Sequence, residues 1–226
     1  MRTREDATLA LVKSAIVLGA TGLVGREIVD LLEKDESVER VVMLVRRAPE
    51  RATAKKTEVR VTNFREPSTY GSLDADALFS ALGTTLKVAG SKEAQYEVDY
   101  TFQYEVAKAA KAAGVSTLSL CSAWGANAEA STFYARMKGE LERDVLALGF
   151  ARTRIVRPSF LEGDRAETRV GEKIGMGVMN VLGKLPGLSK HRPIHVRIVA
   201  AAMVALAKDP APGAKILESG ELFAFG

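Results

Sequence analysis

The sequence predicts a doubly wound α/β domain, a mostly parallel sheet with helices on both faces. Three observations carry that expectation. Up to Pro158, short β-rich runs alternate with longer helical patterns. Two of those patterns stop at a glycine, Gly114 and Gly149, and an apolar strand start follows at once. The 226 residues, 47% of them hydrophobic, suffice to bury one large core.

Taken in order, the strand candidates are Ala15 to Leu18, Arg40 to Val45, Glu58 to Thr62, Ala77 to Leu82, Thr117 to Cys121 and Thr153 to Arg157. Between them, Val24, Ile28, Leu31 and Leu32 fall on one helical face. Phe102, Val106, Ala109 and Ala113 do so in a later pattern, and Leu141, Val145 and Leu148 in the next. After Pro158 the pattern changes. Residues 163–193 are rich in Gly, Met and Leu, including Met176 and Met179, and are too few for a core of their own. They are expected to form a substrate-side flap, followed by an alanine-rich helix from about Val196 to Lys208. The expectation is one domain over residues 1–226, with the flap as its only appendage.

The bulk properties exclude several function classes. The net charge of +4 comes from Lys and Arg spread along the chain, with no dense basic run and no basic–aromatic alternation. Nucleic acid is therefore not an expected partner. No apolar run approaches the ~18 residues of a membrane span, so no membrane is expected either. Cys121 is the single cysteine, which rules out an internal disulfide and a multi-cysteine metal site. His191 and His195 are four apart, but Pro193 spoils a helical ligand pair, so no metal is expected. With no secretory cleavage pattern at the N-terminus, the expectation is a soluble, cytoplasmic protein. A homodimer stays open.

The chemistry begins at Gly19-Ala20-Thr21-Gly22-Leu23-Val24-Gly25, between the strand Ile16-Val17-Leu18 and a helix starting near Arg26. Glycines at the first turn of such a unit permit a tight turn, a close approach of the backbone to a pyrophosphate, and tight helix–strand packing. The helix N-terminus beyond offers free N–H groups and partial positive charge. A lone pattern of this kind matches often by chance. Its place in a βαβ unit turns it into a Rossmann dinucleotide loop, with Gly19, Thr21, Gly22, Leu23, Val24 and Gly25 as expected cofactor contacts. The second strand ends Val45-Arg46-Arg47, with no acidic residue at its tip. A carboxylate there would hold the ribose of NAD and repel a 2′-phosphate, whereas a guanidinium can grip that phosphate in bidentate fashion. The expected cofactor is NADPH, held in part by Arg46 and Arg47.

Ser122 follows the fifth strand, and Tyr134 and Lys138 lie four apart on the next helical pattern, hence on one face. A free phenol has a pKa of ~10 and is a poor proton shuttle near neutrality. A neighbouring ammonium, with the positive nicotinamide of an oxidised cofactor, favours the phenolate. On this reading Tyr134 donates the proton, Lys138 lowers its pKa and Ser122 orients a substrate oxygen.

These residues, in this order, resemble the short-chain dehydrogenase/reductase superfamily. More narrowly, Leu82-Gly83-Thr84-Thr85, Tyr134-Ala135-Arg136-Met137-Lys138-Gly139-Glu140 and Arg157-Pro158 are similar to the atypical branch containing the Tat-interacting protein and its bacterial relatives. The resemblance spans roughly residues 13 to 205. It implies an NADPH-binding fold with Ser122, Tyr134 and Lys138 at the catalytic positions. It also implies that Leu82, Gly83 and Thr84 line the cofactor near the fourth strand, with Pro158, Phe160 and Leu161 along the nicotinamide.

Two positions depart from the family pattern. Asp99 stands where many members carry an Asn that organises a proton-relay water, and an ionised carboxylate accepts but does not donate. Asn63, after the third strand, stands where an acidic adenine contact is common, and its amide can still bond adenine. The expected function is reduction of a carbonyl on a small, partly apolar molecule; the alternative is a non-catalytic NADPH-sensing protein. Trp124, just after Ser122, reads equally as packing and as a wall of the substrate pocket.

Overall fold

The structure, a computed structural model, describes residues 12–49, 54–163 and 192–226. β1 (Ser14–Leu18) leads through the glycine turn into α1 (Leu23–Lys34) and back to β2 (Arg40–Val45). β3 (Thr57–Val61) and β4 (Ala77–Ser80) follow, then two short helices, α2 (Leu86–Ala89) and α3 (Lys92–Tyr96). α3 continues through a π turn (Glu97–Thr101) into α4 (Phe102–Ala112). Next come β5 (Thr117–Cys121), α5 (Phe133–Ala147) and β6 (Arg152–Arg157). A two-stranded ribbon, β7 (Leu161–Glu162) with β8 (Ile194–His195), precedes α6 (Val196–Lys208), β9 (Gly213–Glu218) and α7 (Ser219–Leu222).

Among the described residues, seven strands form one sheet in the order β3-β2-β1-β4-β5-β6-β9, every pair parallel. The inner strands are buried on both faces, which is why they read as unbroken apolar runs. Ala15 and Val17 of β1 pack with α1 and α6 on one face, and Ile16 and Leu18 pack with α4 and α5 on the other. β2 divides in the same way, Val41, Met43 and Val45 against Val42 and Leu44. The doubly wound fold expected from the sequence is the fold observed. Its strand order reverses between β1 and β4, the crevice where such sheets bind ligands.

The differences are local. β9 did not show as a strand in the sequence because it is an exposed edge, beginning Gly213-Ala214, with Leu217 its one buried residue. The fourth strand stops at Ser80, short of the expected Leu82, as the chain turns away past the glycine loop. In α4 it is Ala110 that faces the core, while Ala113 lies exposed at the helix end, where Gly114 takes a left-handed φ of 94°. The expected flap lies outside the described residues except for Gly163, Arg192 and Pro193, so Met176, Met179 and His191 are not placed.

One buried charge organises the far end of the sheet. Arg154 of β6 is 1% exposed and donates to the carbonyls of Leu206, Asp209, Ala211 and Gly213. These acceptors include the end of α6 and the loop into β9. The guanidinium, with five donors in a planar fork, satisfies carbonyls that a helix end otherwise leaves unpaired.

Candidate active site

The glycine loop sits at the end of β1. Gly19 has φ +81°, a left-handed conformation that suits glycine, and a Cβ there would lie 2.6 Å from the backbone of Ala81 and Leu82. At Gly25 a Cβ would stand 2.1 Å from the Gly19 carbonyl oxygen, so only glycine lets α1 start this close to β1. The Gly22 N–H donates to Gly19 O at 2.9 Å, and α1 has its first helical bond from Arg26 N–H to Gly22 O. Gly22 caps the helix with no side chain, and the first turn holds no acidic residue. The N–H groups of Leu23, Val24 and Gly25 thus have no partner within the helix, at its positive end. This cradle fits a diphosphate: backbone comes close, donors converge and nothing negative intrudes.

The remaining expected contacts lie at or just past the C-terminal ends of β1, β2, β3, β4 and β6. Arg46 and Arg47 are exposed at the tip of β2, next to β1 in the sheet, and among the described residues neither makes an ion pair. Thr21 is exposed, its carbonyl accepting from Arg26 Nε at 2.8 Å. Leu82, Gly83 and Thr84 follow β4, and the backbone of Leu82 lies beside Gly19. Asn63 lies at the end of β3, where its side chain is engaged locally, donating to Glu66 Oε1 at 2.8 Å and accepting from the Arg65 N–H at 3.2 Å. Pro158, Phe160 and Leu161 follow β6. The Pro158 carbonyl accepts from the Trp124 N–H at 2.9 Å, so the loops after β5 and β6 run side by side. Phe160 is 52% exposed and Trp124 equally so.

Ser122, Tyr134 and Lys138 are placed by β5 and α5. Among the described residues, Ser122 Oγ is the buried side-chain polar atom with no hydrogen-bond partner. Buried hydroxyls are normally bonded, so an orphan needs an explanation such as a ligand. Lys138 is also buried, at 3% exposure, its Nζ 6.0 Å from the Tyr134 ring centroid. α5 reaches this position because Gly139 lets it press on the loop after Ser122: a Cβ there would lie 2.1 Å from Ala128 N.

Two features differ from the expectation. Lys138 Nζ pairs directly with Asp99 Oδ1 at 3.2 Å, both side chains being almost fully buried. Burial opposes the charged ammonium, but the charges of Tyr134, Asp99 and Cys121 and the hydrogen bond to Asp99 outweigh it and raise the Lys138 pKa. Burial raises the Tyr134 pKa overall, although Lys138 pulls it down as the sequence reading expected. Although the residue is 43% exposed, packing around the phenol has the largest effect; Lys138 works downward, and Asp99 and Cys121 work upward. The expectation weighed the ammonium and the positive nicotinamide of an oxidised cofactor, and omitted both the burial and the carboxylate beside the ammonium. An acid at position 99 was visible in the sequence; its burial and its contact with Lys138 were not. The π turn that carries Asp99 was missed outright.

The comparisons agree with this geometry. A family described as NAD(P)H-binding matches residues 19–210. The chain is 40% identical to the protein FMP52-1, mitochondrial, of Scheffersomyces stipitis, over 92% of this chain and 96% of that one. It is 36% identical to the protein fmp52, mitochondrial, of Aspergillus fumigatus, over 93% and 97%. Among solved structures, a short chain dehydrogenase family protein from Francisella tularensis shares the fold, with TM-score 0.64 and 13% identity over 94% of this chain and 99% of that one. The relatives overturn the expected cytoplasmic location, since proteins similar over nearly the whole chain are named mitochondrial. That expectation rested on a missing secretory pattern, which tests one export route and is silent on a mitochondrial address. With the diphosphate cradle at the switch point and a family match that spans it, the chain is an NAD(P)H-binding protein and belongs to the FMP52 family.

Proposed function

We propose that the protein is an NADPH-dependent oxidoreductase that reduces a carbonyl on a small, partly apolar substrate. The observation that carries this reading is the orphaned Ser122 Oγ, one residue beyond a strand end and close in sequence to Tyr134 and the buried Lys138. A hydroxyl buried without a partner has a donor to offer a carbonyl oxygen. Bound in the crevice, a reduced nicotinamide supplies the hydride. The chain's own residues do the rest. Ser122 orients the carbonyl, Tyr134 gives its phenolic proton to the oxygen, and Lys138 holds positive charge beside the phenolate left behind. Arg46 and Arg47, exposed and without ion pairs among the described residues, are free to receive a 2′-phosphate. Exposed Trp124 and Phe160 offer apolar surface beside the two loops and suit a partly apolar substrate.

The test is NADPH oxidation over a panel of aldehydes, ketones and quinones, run with the unsubstituted protein and with Tyr134→Phe. The expected outcome is turnover of part of the panel, lost in the variant while its NADPH affinity is kept. Equal turnover in Tyr134→Phe would remove the tyrosine from the chemistry. Tight NADPH binding with no reduction anywhere in the panel would make the protein a sensor of cofactor state instead.

A further inference from the structure

Lys138 and Asp99 form a buried pair whose geometry is built from several elements at once. Asp99 lies on the π turn, and such turns re-aim a side chain by adding a residue to the coil. Its Oδ2 accepts the Thr84 N–H at 2.8 Å, and its own carbonyl accepts Gln103 Nε2–H at 2.6 Å. Gln103 is held in turn by Ser80, whose hydroxyl donates to Oε1 at 2.8 Å. The carboxylate therefore has a fixed place, with its Oδ1 on the Lys138 ammonium.

An ammonium alone beside a phenol favours the phenolate. An ammonium paired with a carboxylate is a dipole of zero net charge, and its pull on the phenol is weaker. Building on the function proposed above, we propose that Asp99 is a positioning residue that neutralises Lys138 and keeps Tyr134 a protonated donor. Carbonyl reduction then runs across the neutral range, and alcohol oxidation, which needs the phenolate as base, runs only in alkali. The equilibrium of the reaction is untouched; what Asp99 sets is the pH range of each direction.

The other charged and titratable groups around this pair do not compete for the role. From β5, Cys121 faces Lys138 and Tyr134, but burial pushes its thiol to about 11, so it is neutral at physiological pH. One turn further along α5, Glu142 is already paired with Arg157 of β6 at 2.6 Å. Gln103, Ser80 and Thr84, which hold Asp99, carry no charge. The Tyr134 shift is upward, with burial its largest cause and Asp99 a further upward one, in agreement with the geometry.

The experiment is a tyrosinate absorbance titration of the full chain and of Asp99→Asn, each compared with its own Tyr134→Phe counterpart to isolate Tyr134. Asparagine keeps an acceptor for the Thr84 N–H and removes the charge. In the folded variant, the Tyr134 tyrosinate-to-phenol ratio at a fixed alkaline pH is expected to rise about tenfold, the equivalent of one pKa unit. The pH profile of alcohol oxidation is expected to move toward neutrality with it. An unchanged Tyr134 titration in folded Asp99→Asn overturns the proposal. Should that variant not fold, nitrogen NMR of Lys138 in the unsubstituted protein decides instead. A charged, slowly exchanging ammonium throughout the neutral range is required, and a neutral amine overturns the pair. Tight NADPH binding with no reduction of any carbonyl in the panel would sink the oxidoreductase reading and leave the titration result intact, so the two failures are distinguishable.

Discussion

Ser122 carries the sharpest prediction at the scale of single residues. Its hydroxyl is buried without a partner, so deletion removes an unsatisfied group rather than a bond. Ser122→Ala is expected to leave stability unchanged or raise it by about 1 kcal/mol. The same change is expected to lower turnover by about 10²–10³, as removal of a donor to a developing oxyanion does. Chemical denaturation and NADPH oxidation on one preparation measure both, and a destabilised but fully active variant would refute the role. Ser122, Tyr134 and Lys138 were legible because their order and the four-residue spacing are local properties. The Asp99–Lys138 contact was not. It depends on how α5 docks against the π turn, and no spacing along the chain encodes a docking distance. The raised pKa of Tyr134 follows from that same docking. Arg154 is similar: its acceptors are carbonyls, which every residue has, so no pattern of side chains announces them.

Helices and strands were legible where their periodicity answers to the core. Val24, Ile28 and Leu32 of α1 are buried as their spacing requires, and α6 spans Val196–Lys208 as expected. β9 escaped notice because an exposed edge strand leaves no apolar alternation. α1 and α6 pack together on one face of the sheet, and their ends are tied by the Asp35–Lys208 ion pair. Burial would raise the Asp35 pKa, but hydrogen bonds from Lys208 and from the side chain and N–H of Ser37 prevail and lower it from 3.8 to about 2. A carboxyl depressed in the folded state contributes stability above its unfolded pKa and loses it as pH falls through the folded one. The contribution, discounted for partial solvent exposure, is about 1 kcal/mol. It is fully present above 3.8 and lost on acidification toward 2. Urea unfolding across that range is expected to show a steeper loss for the unsubstituted protein than for Asp35→Asn. Parallel pH dependences would rule the pair out as a source of acid sensitivity.

At the scale of the whole molecule, cofactor binding and stability are linked. A ligand that binds only the folded chain stabilises it by about 2.7 kcal/mol at a hundredfold excess over its Kd. NADPH is expected to raise the unfolding temperature more than NADH at equal concentration. Arg46→Glu is expected to abolish most of that difference by placing a carboxylate at the tip of β2. A larger shift with NADH in the unsubstituted protein would refute the 2′-phosphate assignment.

The fold class, the glycine loop and the order of Ser122, Tyr134 and Lys138 are readable along the chain alone. Each of these is written in periodicity or short spacing, and the backbone turns such local rules into structure directly. It takes the folded chain to show that Asp99 meets Lys138, that burial moves the Tyr134 pKa upward, that Ser122 Oγ is left without a partner and that a seventh strand joins the sheet. Those are outcomes of packing between segments far apart in the chain. Their physical content lies in distances and desolvation, which come into being when the elements dock.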